Sequence, residues 1–490
     1  MFRFLLTRKK TDCYPEFVSM YDLIVIGAGI GGYPAAIRGA QLGAKVLIVE
    51  KAEVGGTCLN RGCIPTKALK ATSEMLDGLH RLGEFGLSGR VEVSVDMNKI
   101  VQRKNRIVDE LVKGVHFLLR SQGVTLKSGA VTFLSKNKVR ITSRGGASET
   151  AESKGFIIAT GSSPAGLPGV EPDGSRILTS DQILDIDTLP KRLIIIGSGV
   201  IGTEMAFIFR SLGVDVTLLE MMPRPLPSEE EEISRLISRS FKKVGIKLKT
   251  QVRVARIDIR DDVSVYLDNN EVVNADRVLV AVGRKINTGE LGLGALGIKL
   301  GKQHEIMVDP FFNTGIDNIY ACGDVIGGMM LAHVAYKEGI TAAANLLGSE
   351  KRSINYRAIP YAIYSSPEAA SVGLTEGKAR DMGFEVRTGV FPYRALGKAR
   401  AYSETDGVVK VVVDGDTQKV LGMHVVGPHA TDAIAQGAMA IQNDLTVRSL
   451  SDTVAAHPTY AEAVMEAAED VFSRAIHQPR IMTKEQSGGN

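Results

Sequence analysis

The sequence predicts an α/β protein of several domains, built around two copies of one strand–helix–strand unit. Residues 23–50, LIVIGAGIGGYPAAIRGAQLGAKVLIVE, and residues 193–220, LIIIGSGVIGTEMAFIFRSLGVDVTLLE, match element for element at a constant offset of 170 (193 minus 23). Each copy has an apolar strand, a glycine turn, a helix with small residues on one face, a Leu-Gly stop and a second strand. A chain of 490 residues also exceeds what one hydrophobic core normally supports, so we expect roughly two to four domains.

The glycines of the two turns have the spacing of a dinucleotide-binding fingerprint. The first glycine of each turn, Gly27 or Gly197, permits the tight turn. The second, Gly29 or Gly199, lets a pyrophosphate approach the backbone. The third, Gly32 or Gly202, lets the helix pack on the strand. The phosphates then lie at the helix N-terminus, where N–H groups and the helix dipole favour negative charge. Two Rossmann-like dinucleotide-binding domains are therefore predicted.

An acid ends the second strand of each copy, Glu50 in the first and Glu220 in the second. A carboxylate at this position hydrogen-bonds a ribose 2′-OH and repels a 2′-phosphate. Glu220 therefore favours NAD over NADP, although Arg224 lies close enough in the sequence to weaken that inference. Two such sites on one chain indicate two dinucleotides in series, one of them a flavin, and hydride and electron transfer as the chemistry.

Two of the four cysteines, Cys58 and Cys63, lie in the run GGTCLNRGCIPTKAL directly after the first fingerprint. On a regular helix their Cα atoms would be about 8–9 Å apart, whereas a disulfide needs less than about 7 Å. The segment can close a bridge only if its backbone departs from the helix, which Gly56, Gly62 and Pro65 permit or force. The pair alone leaves three interpretations open: a redox-active disulfide, two buried thiols, or half of a zinc site, for which no second Cys or His pair occurs nearby.

Composition argues against several classes of function. With 59 basic and 55 acidic residues, a formal net charge of +4 and no extended basic run, the sequence lacks a nucleic-acid footprint. Apolar runs are much shorter than the ~20 residues of a membrane span, so we expect no transmembrane helix. We also predict no metal site. The few, widely spaced cysteines indicate a reducing compartment, and we expect a cytoplasmic location.

The first twenty residues carry basic side chains around a short apolar stretch, but they lack a continuous apolar core and a cleavage site. We expect residues 1–20 to be a disordered extension, or to precede a functional start at Met20. Cys13 lies within this segment and is assigned no role.

Further blocks identify a family. They are IIATGSSP at 157–164, AVGRKIN at 281–287, NIYACGDV at 318–325, MLAHVAYKEG at 330–339 and AAHPTYAE at 455–462. Together with the cysteine run they resemble class I of the pyridine nucleotide–disulfide oxidoreductase family, from about Tyr21 to about residue 475. The resemblance implies a redox-active disulfide between Cys58 and Cys63, with FAD and NAD as cofactors.

The resemblance also implies two sets of cofactor contacts. The FAD set is Gly27, Gly29, Gly32, Glu50, Lys67, Thr160, Gly161, Ser162, Asp324, Met330, Leu331, Ala332 and His333. The NAD set is Gly197, Gly199, Gly202, Glu204, Glu220, Val252 and Gly283. Asp324 would bind the ribityl chain, and Lys67 and Glu204 would form a charged pair that tunes the flavin.

The cysteine segment resembles most the branch of this family that oxidises dihydrolipoyl groups with NAD. In that branch His457, oriented by Glu462, would be the base that acts on the disulfide of the other subunit of a homodimer. Cys58 would exchange with substrate, and Cys63 would interact with the flavin. A base is needed because a thiolate, not a thiol, attacks a disulfide sulfur.

The expected partners are lipoyl domains or lipoylated carrier proteins of 2-oxo acid dehydrogenase or glycine cleavage complexes. Two alternatives are kept: a sister NAD(P)H-dependent disulfide or metal-ion reductase, and a docked complex component with a mainly structural role. Ala461 stands where the family usually has Ser, and Ala455 and Ala456 also depart from its pattern before His457. Since the base and its acid are retained, we expect activity with a shifted pH profile.

The resemblance sets the expected domain boundaries. They are a first FAD-binding part at 21–154, an NAD-binding domain at 155–282, a second FAD-binding and central part at 283–354, an α+β dimerisation domain at 355–475 and a tail at 476–490.

Cys322, beside Asp324, is interpreted as a buried thiol without a redox task.

Overall fold

The structure is a computed structural model that describes residues 19–89 and 92–479. Cys13 and most of the expected N-terminal extension lie outside the described residues. The first strand already begins at Ser19, where Ser19 and Met20 pair with Ala151 and Glu152.

The elements are given in chain order. The strands are β1 (Ser19–Ile26), β2 (Val46–Glu50), β3 (Thr125–Ser128), β4 (Ala130–Ser135), β5 (Lys138–Thr142), β6 (Ser148–Ile158), β7 (Ser162–Pro164), β8 (Ile177–Thr179), β9 (Arg192–Ile196), β10 (Asp215–Leu219), β11 (Lys247–Lys249), β12 (Val254–Ile259), β13 (Val263–Leu267), β14 (Val272–Ala275), β15 (Arg277–Val280), β16 (Arg284–Ile286), β17 (Ile319–Ala321), β18 (Pro360–Ile363), β19 (Ala369–Gly373), β20 (Val386–Pro392), β21 (Val408–Asp414) and β22 (Val420–Val426). The helices are α1 (Gly32–Gln41), α2 (Gly56–Arg61), α3 (Cys63–His80), α4 (Met97–Ser121), α5 (Val200–Ser211), α6 (Glu231–Val244), α7 (Ala332–Leu347), α8 (Glu376–Asp381), α9 (Gly397–Ala401), α10 (Ala430–Gln442), α11 (Val447–Ser451) and α12 (Glu462–Asp470).

A first compact unit comprises the described residues up to Gly56, Val115–Gly161 and Ile286–Arg352. Its sheet has the order β3-β2-β1-β6-β5-β4, and β17 also pairs with β6. β1 runs parallel to β2 and to β6, and its apolar core residues are fully buried. Continuous apolar strands of this kind are typical of parallel sheets covered on both faces.

Helices α1 and α7 approach each other closely in this unit. A Cβ added at Gly339 of α7 would lie 2.0 Å from the carbonyl oxygen of Gly31, which directly precedes α1. Gly31 and Gly339 therefore permit the close approach of these two helices. The contact joins the N-terminus of α1 to the middle of α7.

A second compact unit comprises Thr57–Gly114, Ser162–Lys285 and the described residues from Ser353 onward. It contains the parallel sheet β11-β10-β9-β15-β8 and the antiparallel sheet β12-β13-β14. In the parallel sheet Leu193 lies opposite Val216. This is the register of Leu23 and Val46 in the first unit, moved by the same offset of 170.

The same unit contains a five-stranded antiparallel sheet with the order β18-β19-β22-β21-β20. Its central strands β21 and β22 are almost entirely buried, and α10 and α12 pack on them. One charged side chain of β21, Lys410, and one imidazole of β22, His424, lie inside this buried layer. In the described ranges, no helix is long and apolar enough to cross a membrane.

Candidate active site

In the first unit, Glu50 ties the second strand to the glycine turn. Its Oε2 accepts a hydrogen bond from the backbone N–H of Ala28 at 2.6 Å, and its Oε1 accepts one from Ala52 at 2.8 Å. A carboxylate has about four acceptor positions, so both oxygens can still accept further donors such as ribose hydroxyls. The predicted cofactor acid therefore lies directly beside the glycine turn.

Two further predicted FAD contacts of this unit, Asp324 and Thr160, lie at the same carboxyl edge of the sheet. The backbone of Cys322 donates to the carbonyl of Ile158 at 3.0 Å, which sets the segment with Asp324 beside the end of β6. Thr160 donates through its Oγ1 to the carbonyl of Asn287 at 2.8 Å. Ligands bind at this edge of parallel sheets.

The structure distributes the predicted FAD set over both units. Gly27, Gly29, Gly32, Glu50, Thr160, Gly161, Asp324, Met330, Leu331, Ala332 and His333 belong to the first unit, and Lys67 and Ser162 belong to the second. Cys322 is fully buried, as interpreted from the sequence. Burial raises the pKa of its thiol.

The second unit repeats the acid geometry at positions 170 higher. Oε2 of Glu220 accepts hydrogen bonds from the backbone N–H of Ser198 at 2.8 Å and from its hydroxyl at 2.7 Å, and Oε1 accepts one from Met222 at 2.8 Å. Val252 lies next to Glu220 in space, because its N–H donates to the carbonyl of Glu220 at 3.0 Å. Arg224 donates to the carbonyls of Pro227 and Glu229, so its guanidinium is held by its own loop.

The space around the three glycines of the second turn shows where a ligand could fit. A Cβ at Gly197 would lie 2.5 Å from the carbonyl oxygen of Ala281, and one at Gly202 would lie 1.9 Å from that of Gly197. Packing within the chain therefore requires these two glycines. A Cβ at Gly199 would meet nothing within 4 Å. The open space at Gly199 fits a pyrophosphate that approaches bare backbone at a helix N-terminus.

The remaining members of the predicted NAD set lie in the same unit. Gly283 follows β15 with φ +127°, a conformation that favours glycine, and an added Cβ would meet open space. Glu204 lies in the buried helix α5, which begins directly after Gly199. The whole predicted set therefore comes together at the carboxyl edge of one parallel sheet.

The cysteine pair lies across a break between two helices of the second unit. Helix α2 ends at Arg61, and α3 begins at Cys63. Gly62 between them has φ −141° and ψ −111°, which is far from helical. The backbone thus departs from the helix between the two cysteines, and their thiols are hydrogen-bonded to each other in the reduced form.

The hydrogen bond makes the two thiols unequal. The contact with Cys58 lowers the pKa of Cys63 to about 7, and the nearby Lys67 ammonium also lowers it. The same contact raises the pKa of Cys58, and burial adds to that rise. The contact therefore favours a thiolate on Cys63 and retention of the hydrogen on Cys58.

Lys67 lies one helical turn after Cys63 on α3 and is ion-paired. Its Nζ lies 2.8 Å from Oε2 of Glu204, whose side chain is buried in α5. Nζ also lies 4.0 Å from the centre of the Tyr364 ring, and the backbone N–H of Tyr364 donates to Oε1 of Glu204 at 2.9 Å. The ammonium is thus fixed by a carboxylate and an aromatic face close to the thiolate.

His457 and Glu462 form a hydrogen-bonded pair at the start of α12. His457 Nδ1 lies 2.8 Å from Oε1 of Glu462, and Oε2 accepts from the backbone N–H of Thr459 at 2.8 Å. Burial raises the pKa of Glu462, but the hydrogen bonds from His457 and Thr459 outweigh it and leave the pKa below its usual value. The carboxylate can only accept, so Nδ1 carries the hydrogen and Nε2 is left as the base. The imidazole is 77% exposed on this subunit.

Two contributors to this site were missed from the sequence. Tyr364 supplies both the aromatic face over Lys67 and a backbone donor to Glu204. Arg284 donates through Nε to Oγ of Ser162 at 2.6 Å and through Nη2 to its carbonyl at 2.8 Å. Arg284 lies in the block AVGRKIN, which could have identified it as a site residue. Nothing in the sequence around Tyr364 distinguishes it from other tyrosines.

Comparisons with known proteins agree with this geometry. A family model described as pyridine nucleotide-disulphide oxidoreductase matches residues 21–339, and the dimerisation domain of that family matches residues 359–468. The chain belongs to the pyridine nucleotide-disulphide oxidoreductase family. Among its relatives, a dihydrolipoyl dehydrogenase of Bacillus subtilis is 41% identical over 471 residues, covering 93% of this chain and 99% of the relative. That of Thermus scotoductus is 41% identical over 464 residues, covering 93% and 98%.

Two solved structures have a similar fold. LpdA from Mycobacterium tuberculosis has a TM-score of 0.86 at 29% identity, covering 92% of this chain and 99% of that one. The Cu(II) complex of the HOCl-induced flavoprotein disulfide reductase RclA from Escherichia coli has a TM-score of 0.83 at 27% identity, with the same coverage.

These findings confirm the predicted family and the predicted fold class. They also confirm the enzyme class, a flavin-dependent oxidoreductase of the dihydrolipoyl dehydrogenase type, with FAD and NAD as cofactors. The dimerisation domain shows that this family member is a homodimer. The individual site residues and the domain boundaries remain predictions.

Proposed function

We propose that this enzyme oxidises protein-bound dihydrolipoyl groups to lipoyl groups and reduces NAD. The observation that carries the proposal is the pair of neighbouring thiols at the break between α2 and α3, close to the ion pair of Lys67 and Glu204. Contact between the thiols lowers the pKa of Cys63 and raises that of Cys58. In a disulfide between them, the sulfur with the lower thiol pKa is the better leaving group. A substrate thiolate therefore attacks Cys58 and releases Cys63.

His457 supplies the proton transfer for this step. Its Nε2 takes the proton of one dihydrolipoyl thiol, while Glu462 stabilises the imidazolium through Nδ1. The substrate thiolate forms a bond to Cys58 Sγ, and the bond between Cys58 and Cys63 breaks. The second substrate thiolate then attacks its own mixed-disulfide sulfur, which closes the lipoyl disulfide and releases Cys58.

That exchange moves two electrons from the substrate to the cysteine pair. Of the two thiol protons of the substrate, one stays on His457 Nε2 and the other passes to Cys58 as it is released. Cys63 remains as the thiolate, because Lys67 and the Cys58 hydrogen bond stabilise its charge. When bound, FAD would accept the electron pair of the dithiol and allow its transfer to NAD as a hydride. Cys58 and Cys63 would return to the disulfide, and the overall reaction converts dithiol and NAD into disulfide, NADH and one proton released to solvent.

The proposal assigns the base and the disulfide of one active site to different subunits. It is supported by the exposure of the His457 imidazole at the start of α12 within the matched dimerisation domain. Lipoyl domains or lipoylated carriers of 2-oxo acid dehydrogenase or glycine cleavage complexes are the proposed partners, and a cytoplasmic location is part of the same proposal.

Substrate competition tests the proposed function. The purified holoenzyme should reduce NAD rapidly with dihydrolipoamide and should be slow with NADPH and glutathione disulfide. Cys63→Ser should abolish the first activity while the protein stays dimeric, because a serine cannot form the disulfide. Activity that survives Cys63→Ser would contradict the proposed chemistry.

A disulfide reductase that runs in the opposite direction is the second candidate. The likeness to RclA, a flavoprotein disulfide reductase, favours it. The position of Glu220 speaks against an NADPH-driven reductase, because a carboxylate beside the turn repels a 2′-phosphate. Faster turnover with NADPH and a disulfide than with NAD and dihydrolipoamide would establish this candidate instead.

A further inference from the structure

A fully buried lysine lies outside the catalytic groups described above. Lys410 of β21 is 4% exposed in its side chain. Its Nζ lies 2.8 Å from Oε1 of Glu230, 2.8 Å from Oε2 of Glu376 and 3.1 Å from Oε2 of Glu232. Burying an ammonium and its carboxylate partners costs desolvation free energy. Such a cluster is therefore weak evidence for stability, and its effect on the segments that it joins matters more.

The carboxylate of Glu230 belongs to the loop that follows the predicted NAD acid. This loop, residues 221–230, leads from Glu220 to the start of α6. In its middle the N–H of Leu226 donates to the carbonyl of Ser198 at 3.0 Å. Ser198 lies between Gly197 and Gly199, so the loop is bonded directly to the second glycine turn.

Leu226 takes up an unfavourable backbone conformation to make that contact. Its φ is +49°, in the left-handed region that branched and bulky side chains avoid, and its side chain is 2% exposed. Such a conformation persists only where the surroundings hold it. The loop therefore needs firm anchors on both sides of Leu226.

The far anchor is supplied by the sheet that contains Lys410. Oγ of Ser371 donates to Oε2 of Glu229 at 2.6 Å, and the N–H of Glu376 donates to Oε2 of Glu230 at 2.9 Å. Lys410 holds the other oxygen of Glu230. The last two residues of the loop are thus fixed by side chains and backbone of the matched dimerisation domain.

We propose that Lys410 is a positioning residue for the NAD site, acting through Glu230 and the loop 221–230 on the glycine turn. Without the ammonium, Glu230 would be a buried carboxylate that has lost its cation, and it would move or be protonated. Either change loosens the anchor that keeps Leu226 against Ser198. The inference rests on the proposed function in one respect, namely that this turn binds NAD.

Binding of ADP-ribose to the purified holoenzyme tests the inference. This probe has the adenosine and pyrophosphate of NAD but no reducible ring, so calorimetry reports binding without turnover. We expect Lys410→Met to weaken ADP-ribose binding by about 2- to 30-fold, the range typical of residues that act on a site without touching its ligand. Reduction of the flavin by dihydrolipoamide without NAD should keep its wild-type rate.

Lys104→Met is a matched control. Lys104 is also a buried lysine with a carboxylate partner, Asp185. This substitution should lower the melting temperature without changing ADP-ribose affinity. If Lys410→Met does not fold, Glu230→Gln removes the same ion pair from its other end and should weaken ADP-ribose binding in the same range.

The double variant Lys410→Met/Glu230→Gln separates positioning from stability. It removes the ammonium together with the buried carboxylate of Glu230, while Glu232 and Glu376 remain and are each 28% exposed. The melting temperature should therefore recover in part while ADP-ribose affinity stays low. Wild-type affinity in Lys410→Met, or equal losses in Lys410→Met and Lys104→Met, would overturn the inference. If the wild-type enzyme itself fails to bind ADP-ribose, the NAD site of the proposed function is wrong instead.

Discussion

Glu220 and Ser198 are joined by two hydrogen bonds, from the backbone N–H at 2.8 Å and from the hydroxyl at 2.7 Å, to one carboxylate oxygen. The relation fixes the predicted NAD acid against the glycine turn. At the predicted NAD site the adenosine ribose would lie beside this negative charge, which would favour NAD over NADP.

Glu220→Gln should reduce the preference for NAD over NADP by about tenfold or more, since hydrogen bonds to charged groups contribute about 1.5–3 kcal/mol. The ratio of kcat/KM for the two cofactors measures this preference. Glu50→Gln is the matched control, because Glu50 has the same geometry in the first copy. That variant should retain less flavin but keep the cofactor ratio, and an unchanged ratio in Glu220→Gln would exclude the assigned role.

Gly199→Ala and Gly202→Ala should separate ligand binding from folding. The methyl group at Gly199 meets open space, so the melting temperature should stay close to that of the wild type while NAD binding weakens. The methyl group at Gly202 would lie 1.9 Å from the Gly197 carbonyl oxygen, and overpacking of this kind costs about 1–3 kcal/mol. Thermal unfolding and ADP-ribose calorimetry on both variants give the comparison. Normal binding by Gly199→Ala would argue against a pyrophosphate at that position.

Titration of the reduced enzyme should show one acidic thiol. The ultraviolet absorbance of the thiolate should appear with a midpoint near pH 7, the pKa of Cys63. Because the Cys58 hydrogen bond and Lys67 both lower this pKa, Cys58→Ala and Lys67→Met should each move the midpoint to higher pH. Cys63→Ser should remove the transition near neutrality. A midpoint that stays in place in Cys58→Ala would show that the contact with Cys58 does not lower the pKa of Cys63.

Substitution of the base should slow only the step that uses it. General bases contribute about 10²–10⁴-fold, so His457→Gln should lower kcat/KM for dihydrolipoamide by that order. Glu462→Gln should also lower kcat/KM, because a neutral amide no longer stabilises the imidazolium formed on His457. Reduction of the flavin by NADH needs no thiol base and should keep its rate in both variants. Equal losses in the two half-reactions would point to a folding defect.

Much of the fold could be predicted because the two units repeat one sequence pattern. The offset of 170 seen in the sequence recurs in the sheet register and in the hydrogen bonds of Glu50 and Glu220. The departure from the helix between the cysteines was also predictable, since the distance limit of a disulfide and Gly62 together require it. These features depend on residues close together in the sequence.

Contacts between distant segments could not be predicted in the same way. Tyr364 and Glu204 are 160 residues apart in the chain, and Lys410 and Glu230 are 180 apart. No local pattern distinguishes Tyr364 from other aromatic residues, and a lone lysine in an apolar strand reads as an edge or surface position. Their roles depend on how the matched dimerisation domain packs on the NAD-binding sheet.

The most direct test of the account is the activity of a hybrid dimer made from His457→Gln and Cys63→Ser subunits. Each parent dimer should be nearly inactive. If His457 serves the disulfide of the other subunit, one of the two sites in the hybrid is intact, so it should reduce NAD with dihydrolipoamide at about half the wild-type rate. A hybrid as inactive as its parents would contradict a site shared between subunits.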